Sequence, residues 1–243
     1  MIDINCDMGE IQDLLDNNVY SDLMDYVTSI NLACGGHAGD EIMMRNLIRT
    51  AHRKDVNVGA HPSYPDRENF GRMAMDLDPE ELVESISSQV QDLINIAGEE
   101  NVPVTHVKPH GALYNLAARD TALAQLIGKA VIRAAPSLPV MCLAGSTMVS
   151  VLQECGLDVM GDAFADRAYE SDGSLRNRSL EGALITDPGQ AAEQARSIAM
   201  HQKVIAFDGS EITIEAATIC VHSDTPNAPA IAKAVSQEIG NIH

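Results

Sequence analysis

The strongest constraint on this chain is where its reactive residues fall along a repeated strand–helix rhythm. Seven short β-like runs, 2–6 (IDINC), 29–34 (SINLAC), 57–60 (NVGA), 104–108 (VTHVK), 140–144 (VMCLA), 158–163 (DVMGDA) and 217–221 (ATICV), alternate with amphipathic helical runs. Strands separated by helices pair in parallel through crossover connections. Nearly every run ends in polar sequence: CDMGE, CGGHAGD, AHPSYPDRENFGR, KPHGALYN, DAFADRAYESDGSLRNR and VHSDTP, with LAGST the plainest. An open sheet gathers ligands at one switch point, whereas a closed barrel collects them from all strands at its C-terminal mouth. The pattern therefore predicts an α/β fold, a TIM-like βα barrel with seven strands, as one domain over residues 1–243. A hairpin at 203–216, turning at Asp208–Gly209, decorates it.

Period-two alternation explains why a strand should carry His106 and Lys108 and lead into His110. These three share one face if the chain stays extended through Pro109. Asp3, Asn5 and Asp7 share a face in the same way, as do Asn57, Gly59 and His61, and Cys220, His222 and Asp224. The opposite phase is apolar: Ile2, Ile4, Val58, Ala60, Val107, Ile219 and Val221. In a barrel the apolar phase meets the helices, and the polar phase lines the lumen, where buried polar groups can satisfy one another. Helix starts are marked by Asp78–Pro79 with Glu81, by Asp187–Pro188 with Gln190, and by Thr225 before Pro226.

The net charge of −19 repels phosphate backbones and argues against a nucleic-acid partner. No apolar stretch approaches the roughly 18 residues of a membrane helix, and the acidic N-terminus lacks a secretory pattern. Five cysteines without C-x-x-C spacing fit small core residues in a reducing, cytoplasmic setting.

Candidate chemistry gathers at the strand ends. Asp7, His37 and His61 follow three successive strands and could hold a divalent metal, or equally form a metal-free acid/base cluster. Lys108 with His110 suggests a desolvated lysine or an oxyanion donor, against a structural Lys–Asp pair. Five of the eleven arginines, Arg67, Arg72, Arg167, Arg176 and Arg178, lie in two strand-end loops, which points to a small anionic substrate. Tyr64, Phe70, Tyr114, Phe164 and Tyr169 are placed to wall off a pocket. His52, His201 and His243 read as helix-surface or terminal residues. There is no G-x-x-x-x-G-K-[ST], and no G-x-G-x-x-G follows a strand, so a nucleotide would not find its usual phosphate loop here.

The blocks INCDMGE, NLACGGHAGD, GAHPSYPD, FGR, HVKPHGALYN, FADRAYESDGSL and CVHSDTP, in this order over essentially the whole chain, resemble the LamB/YcsF family. The resemblance implies a barrel related to the polysaccharide-deacetylase type. It also implies ATP-dependent opening of the lactam 5-oxo-L-proline to L-glutamate, together with 5-oxoprolinase B and C subunits. The matching motif positions are Asp7, Glu10, His37, Asp40, His61, Lys108, His110, Asp166, Arg167, His222 and Asp224. The division of roles is inferred from residue chemistry and not implied by the resemblance: the expected catalytic set is Asp7, His37, Asp40, His61, Lys108 and His110. Arg72, Tyr114, Asp166, Arg167, His222 and Asp224 are expected to bind substrate. Asp7 or Asp40 with His37 and His61 would activate water, Lys108 and His110 would stabilise an oxyanion or phosphoryl group, and Arg167 or Arg72 would hold the substrate carboxylate. The chain departs from the family at the polar IQDLLDNNVYSD segment, at Gly36 where Phe is common, and at Ser223 where Gly is common. Tyr20 or Phe70 is expected to cover the space at Gly36. Two other activities stay open: an ATP-independent, metal-dependent amide hydrolase or deacetylase, and a non-catalytic subunit that binds a small carboxylate.

Overall fold

The structure, a computed structural model, describes residues 2–241; His243 and the outermost positions of the expected span lie outside them. Its strands are β1 (Asp3–Met8), β2 (Ser29–Ala33), β3 (Asn57–His61), β4 (Val104–Val107), β5 (Val140–Leu143), β6 (Val159–Phe164), β7 (Lys203–Ile205), β8 (Glu211–Thr213) and β9 (Thr218–Cys220). Seven of them close into a parallel barrel in the order β1-β2-β3-β4-β5-β6-β9, while β7 and β8 form a separate antiparallel hairpin. The barrel expected from the sequence is therefore the fold.

Alternation sorts the side chains as anticipated. Ile4, Ile30, Val58, Val107 and Ile219 are buried in the layer between strands and helices, each contributing about 1.5–3 kcal/mol. The long helix Pro79–Glu99 supplies much of the other side, burying Leu82, Ile86, Val90, Leu93 and Ala97. Asp78 caps it by accepting from the Glu80 and Glu81 amides, and Asp187 caps the helix Pro188–His201 through the Gln190 amide. The third expected cap differs. The last helix, Ala228–Gly240, starts from Asn227 in a left-handed conformation. The Thr225 hydroxyl instead donates to the buried carboxylate of Asp166.

Inside the barrel, polar groups satisfy one another. Asn31 Nδ2 donates to Asn5 Oδ1 and Asp7 Oδ1, each at 2.7 Å. Asn5 Nδ2 donates to Thr218 Oγ1 and to Asp162 Oδ1. At the bottom, Asp3 accepts the hydroxyls of Thr28, Ser29 and Thr218. β4 ends at Val107, yet the chain stays beside β3: the Lys108 amide donates to Ala60 O and the His110 amide to Pro62 O. His106, Lys108 and His110 thus follow one another up the lumen.

The lumen has room for His106 only because residue 59 is glycine. A Cβ on Gly59 would lie 2.0 Å from His106 Nε2. The ring cannot swing away without cost, since Nε2 bonds Asn31 Oδ1 at 2.8 Å and Nδ1 lies 2.9 Å from Thr105 Oγ1. Gly59→Ala is expected to destabilise the fold by about 1–3 kcal/mol through overpacking, measured as a lowered midpoint of urea unfolding.

Candidate active site

The strand ends deliver one carboxylate and three imidazoles to the mouth. Glu10 follows β1, His37 follows β2, His61 ends β3 and His110 follows β4. Glu10 Oε1 lies 2.9 Å from His37 Nε2, 3.1 Å from His110 Nδ1 and 3.7 Å from His61 Nε2. The His37 ring stacks on His110 at 3.7 Å between centroids. All four side chains are nearly inaccessible to solvent.

Backbone carbonyls fix which nitrogens face inward. His61 Nδ1 donates to Lys108 O at 2.7 Å, leaving the Nε2 lone pair toward the site. His110 Nε2 donates to Phe70 O at 3.0 Å, leaving Nδ1 toward the site. These two inward nitrogens are 3.0 Å apart. Two lone pairs so close repel unless a proton or cation lies between them. Burial drives His61 down to about 3, so its ring is neutral at ordinary pH, and burial lowers His37 as well. Burial would raise Glu10, but His110 and His37 beside it hold it well below the usual carboxylate range. His37 Nδ1 is buried with no partner. A carboxylate and inward imidazole nitrogens form a donor set compatible with a divalent metal.

The expected metal triad regroups. His37 and His61 cluster with Glu10 and His110, whereas Asp7 falls with Cys220 and His222. Asp7 is one layer deeper because it lies within β1, while Glu10 sits on the turn beyond it. Asp7 Oδ2 lies 3.6 Å from His61 Nε2 and 3.9 Å from His222 Nε2. Its Oδ1 accepts from Asn31 and lies 3.4 Å from Lys108 Nζ.

Lys108 is only 1% exposed. Its ammonium has three protons and three facing acceptors: Asp162 Oδ2 at 2.9 Å, Asn5 Oδ1 at 2.9 Å and Asp7 Oδ1 at 3.4 Å. Burial opposes its charge, but Asp162 and Asp7 hold it protonated, well above the usual lysine range. Burial would likewise raise Asp7, yet Lys108, then His61 and His222, keep its carboxyl far below normal. So engaged, Lys108 forms the internal Lys–Asp pair that the sequence also allowed, and it lines the cavity as well. Tyr114, expected at the substrate, gives its hydroxyl to Asp162 Oδ2 and offers the cavity only its ring.

On the opposite side, Asp166 is fully buried and accepts from the His222 amide, from His222 Nδ1 at 2.9 Å and from Thr225 Oγ1 at 2.6 Å. It orients His222 rather than meeting a ligand, while the His222 ring stacks on Phe164 and lines the cavity. Arg167 also lines the cavity, but its guanidinium donates to the carbonyls of Ala183 and Arg176, and burial lowers it to about 10. Arg72 and Arg178 both reach Asp224. Asp40 does not join the site. It is exposed, and its carboxylate caps the helix Glu41–Arg53 through the Met43 amide at 2.8 Å. The cavity bounded by these groups measures about 880 Å³, toward the upper end for small-molecule sites.

Gly36 leaves no gap for Tyr20 or Phe70 to cover: a Cβ there would meet Gln89 Oε1 at 2.4 Å and Ser63 Oγ at 2.5 Å. The other substitution, Ser223, ties its hydroxyl to Asp7 O. Tyr20, buried, instead accepts the Glu10 and Ile11 amides at 3.0 and 2.8 Å and so fixes the turn carrying Glu10.

The model of the LamB/YcsF family matches residues 2–242. A Chloroflexus aggregans protein named as the A subunit of 5-oxoprolinase is 46% identical over 96% of this chain and 93% of its own length. A Geobacillus kaustophilus protein of the same name is 41% identical over 99% of the chain and 93% of its own length. The crystal structure of a lactam utilization protein from Thermus thermophilus superposes with a TM-score of 0.91 at 39% identity, covering 99% of this chain and 96% of that one.

Tyr20→Phe leaves the Glu10 and Ile11 amides without their acceptor. It is expected to cost about 1–3 kcal/mol, read as a shift in the urea midpoint.

Proposed function

The chain belongs to the LamB/YcsF family, and from that premise we propose that it is the A subunit of a 5-oxoprolinase. As one barrel domain it would open the lactam ring of 5-oxo-L-proline to L-glutamate. Relatives at 41–46% identity carry that name, and the structural relative at 39% identity is a lactam utilization protein. The observation that carries the hydrolytic reading is the His61–His110–Glu10 cluster facing Asp7 and the His222–Asp166 pair across one cavity.

A lactam resists attack because amide resonance stabilises it. Opening it needs a polarised carbonyl, a base for water and a proton for the departing nitrogen. Glu10, His61 and His110, with His37 behind Glu10, would hold a divalent ion, since the two opposed lone pairs demand something electropositive. Such an ion would supply Lewis-acid polarisation of the carbonyl oxygen. Asp166 holds His222 Nδ1 and leaves Nε2 toward the cavity, so His222 would accept a proton from water and return it to the ring nitrogen as the C–N bond breaks. Ionised Asp7, 3.9 Å from that nitrogen, favours the imidazolium formed on the way.

ATP would activate the lactam oxygen by phosphoryl transfer. Water would then add to that carbon, the C–N bond would break to leave an acyl phosphate, and a second water would release phosphate and glutamate. This chain has no P-loop, so the nucleotide would be bound with the B and C subunits. The relatives carry the name of one subunit among several, which supports such an assembly. Cysteines that are all free suit a cytoplasmic setting. Among the described residues, no helix is long and apolar enough to cross a membrane.

The test is conversion of 5-oxo-L-proline by this chain with and without the partner subunits, each with and without ATP. Glutamate is expected only from the complete set with ATP. His222→Gln should lower kcat by about 10²–10⁴-fold, and wild-type turnover in that variant would remove His222 from the mechanism. Chelator-sensitive hydrolysis by the lone chain, indifferent to ATP, would replace this reading with a metal-dependent amide hydrolase.

A further inference from the structure

Three loops from different parts of the chain bring two arginines onto one carboxylate at the cavity wall. Arg72, beyond β3, donates to Asp224 Oδ2 at 2.6 Å; Arg178, beyond β6, donates to the same atom at 2.8 Å. Asp224 itself follows β9, and all three residues line the cavity that holds Glu10, His61, His110 and His222. We propose that Arg72 and Arg178, yoked by Asp224, form a carboxylate clamp that selects small cyclic amides bearing a carboxylate next to the ring nitrogen. The identity of that amide rests on the lactam reading above; the clamp itself rests on the geometry.

Charge supports it. Two guanidiniums against one carboxylate leave a local excess of one positive charge, inside a chain whose net charge is −19. Each guanidinium has five N–H donors and spends one on Asp224, so planar pairs of donors remain for an incoming carboxylate. Of the other basic groups that line the cavity, Arg119 is exposed, while two buried ones are occupied. Arg167 is bound to two backbone carbonyls, and Lys108 is enclosed by Asp162, Asn5 and Asp7.

The clamp is also held at a set distance from the imidazoles. Arg72 lies 4.7 Å over the Phe70 ring, the ring of Phe70 meets His37 and His110 edge-on, and the Phe70 carbonyl accepts from His110 Nε2. Phe70 does this from a left-handed backbone, φ 57°, a conformation that costs a bulky residue energy and recurs at ligand sites. One short segment therefore ties the anion-holding group to the cluster where the ring carbonyl would sit. Asp224 is a positioning residue in this arrangement. It aligns the two arginines before a ligand arrives.

The experiment measures calorimetric binding of 5-oxo-L-proline and of 2-pyrrolidinone, the same ring without the carboxylate, to the full chain. Wild type is expected to bind 5-oxo-L-proline at least ~10-fold more tightly, and that preference should fall ~10- to 100-fold in Arg72→Met and in Arg178→Met. Arg72→Lys and Arg178→Lys, which keep the charge but lose the planar fork, should fall between. Circular dichroism and thermal melting of each variant establish that it is folded. Equal binding of both rings by wild type, no binding of either, or a preference that survives both methionine substitutions would overturn the clamp. Clamp-dependent binding without ring opening by the assembled enzyme would leave the clamp standing and overturn the proposed activity.

Discussion

The rest of the structure depends on one buried ion pair. An ammonium removed from water costs several kcal/mol unless partners replace its hydration. The barrel places Asp162, Asn5 and Asp7 around Lys108 to do so. Those partners are tied in turn to Asn31, Thr218 and Tyr114, so the lumen is one connected polar network. Its upper edge is Asp7, which the lysine keeps ionised and pointed at the cavity. The charge beneath the site is thus part of the fold, present before any ligand enters.

Above that layer a single device recurs. Three of the four imidazoles at the mouth have one nitrogen held from behind and the other aimed inward: His61 by Lys108 O, His110 by Phe70 O and His222 by Asp166. The rear partner decides the tautomer, and the tautomer decides the chemistry. Two imidazoles anchored on carbonyls present lone pairs to a cation. The one anchored on a carboxylate is the base in the proposed reaction. The different rear partners separate two roles that the same residue type could play.

The barrel was legible because polarity alternates within strands and collects at their ends, a pattern that survives without knowing any contact. The site was legible only in part. Asp40 and Glu10 both follow strands among glycines, but Asp40 stands one residue before a helix, where an aspartate has a ready amide to accept. Asp162 was hidden because DVMGDA reads as an ordinary strand, and nothing local announces that its carboxylate meets a lysine 54 positions earlier. Asp166 and His222 were both found, yet which of them faces the ligand follows from register across β6 and β9, which spacing does not reveal. The clamp was half visible: the arginine-rich loops suggested an anion, while the shared contact with Asp224 needed three distant segments in place.

The most direct test is a double-mutant cycle on Lys108 and Asp162, with stability taken from urea unfolding. Lys108→Met and Asp162→Asn should each cost about 3–5 kcal/mol by stranding a buried charge. The double variant should cost well under their sum, with a coupling energy of about 2 kcal/mol or more. Costs that simply add would show that the pair does not hold the lumen together, and that Asp7 is charged and aimed by something other than the lysine beneath it.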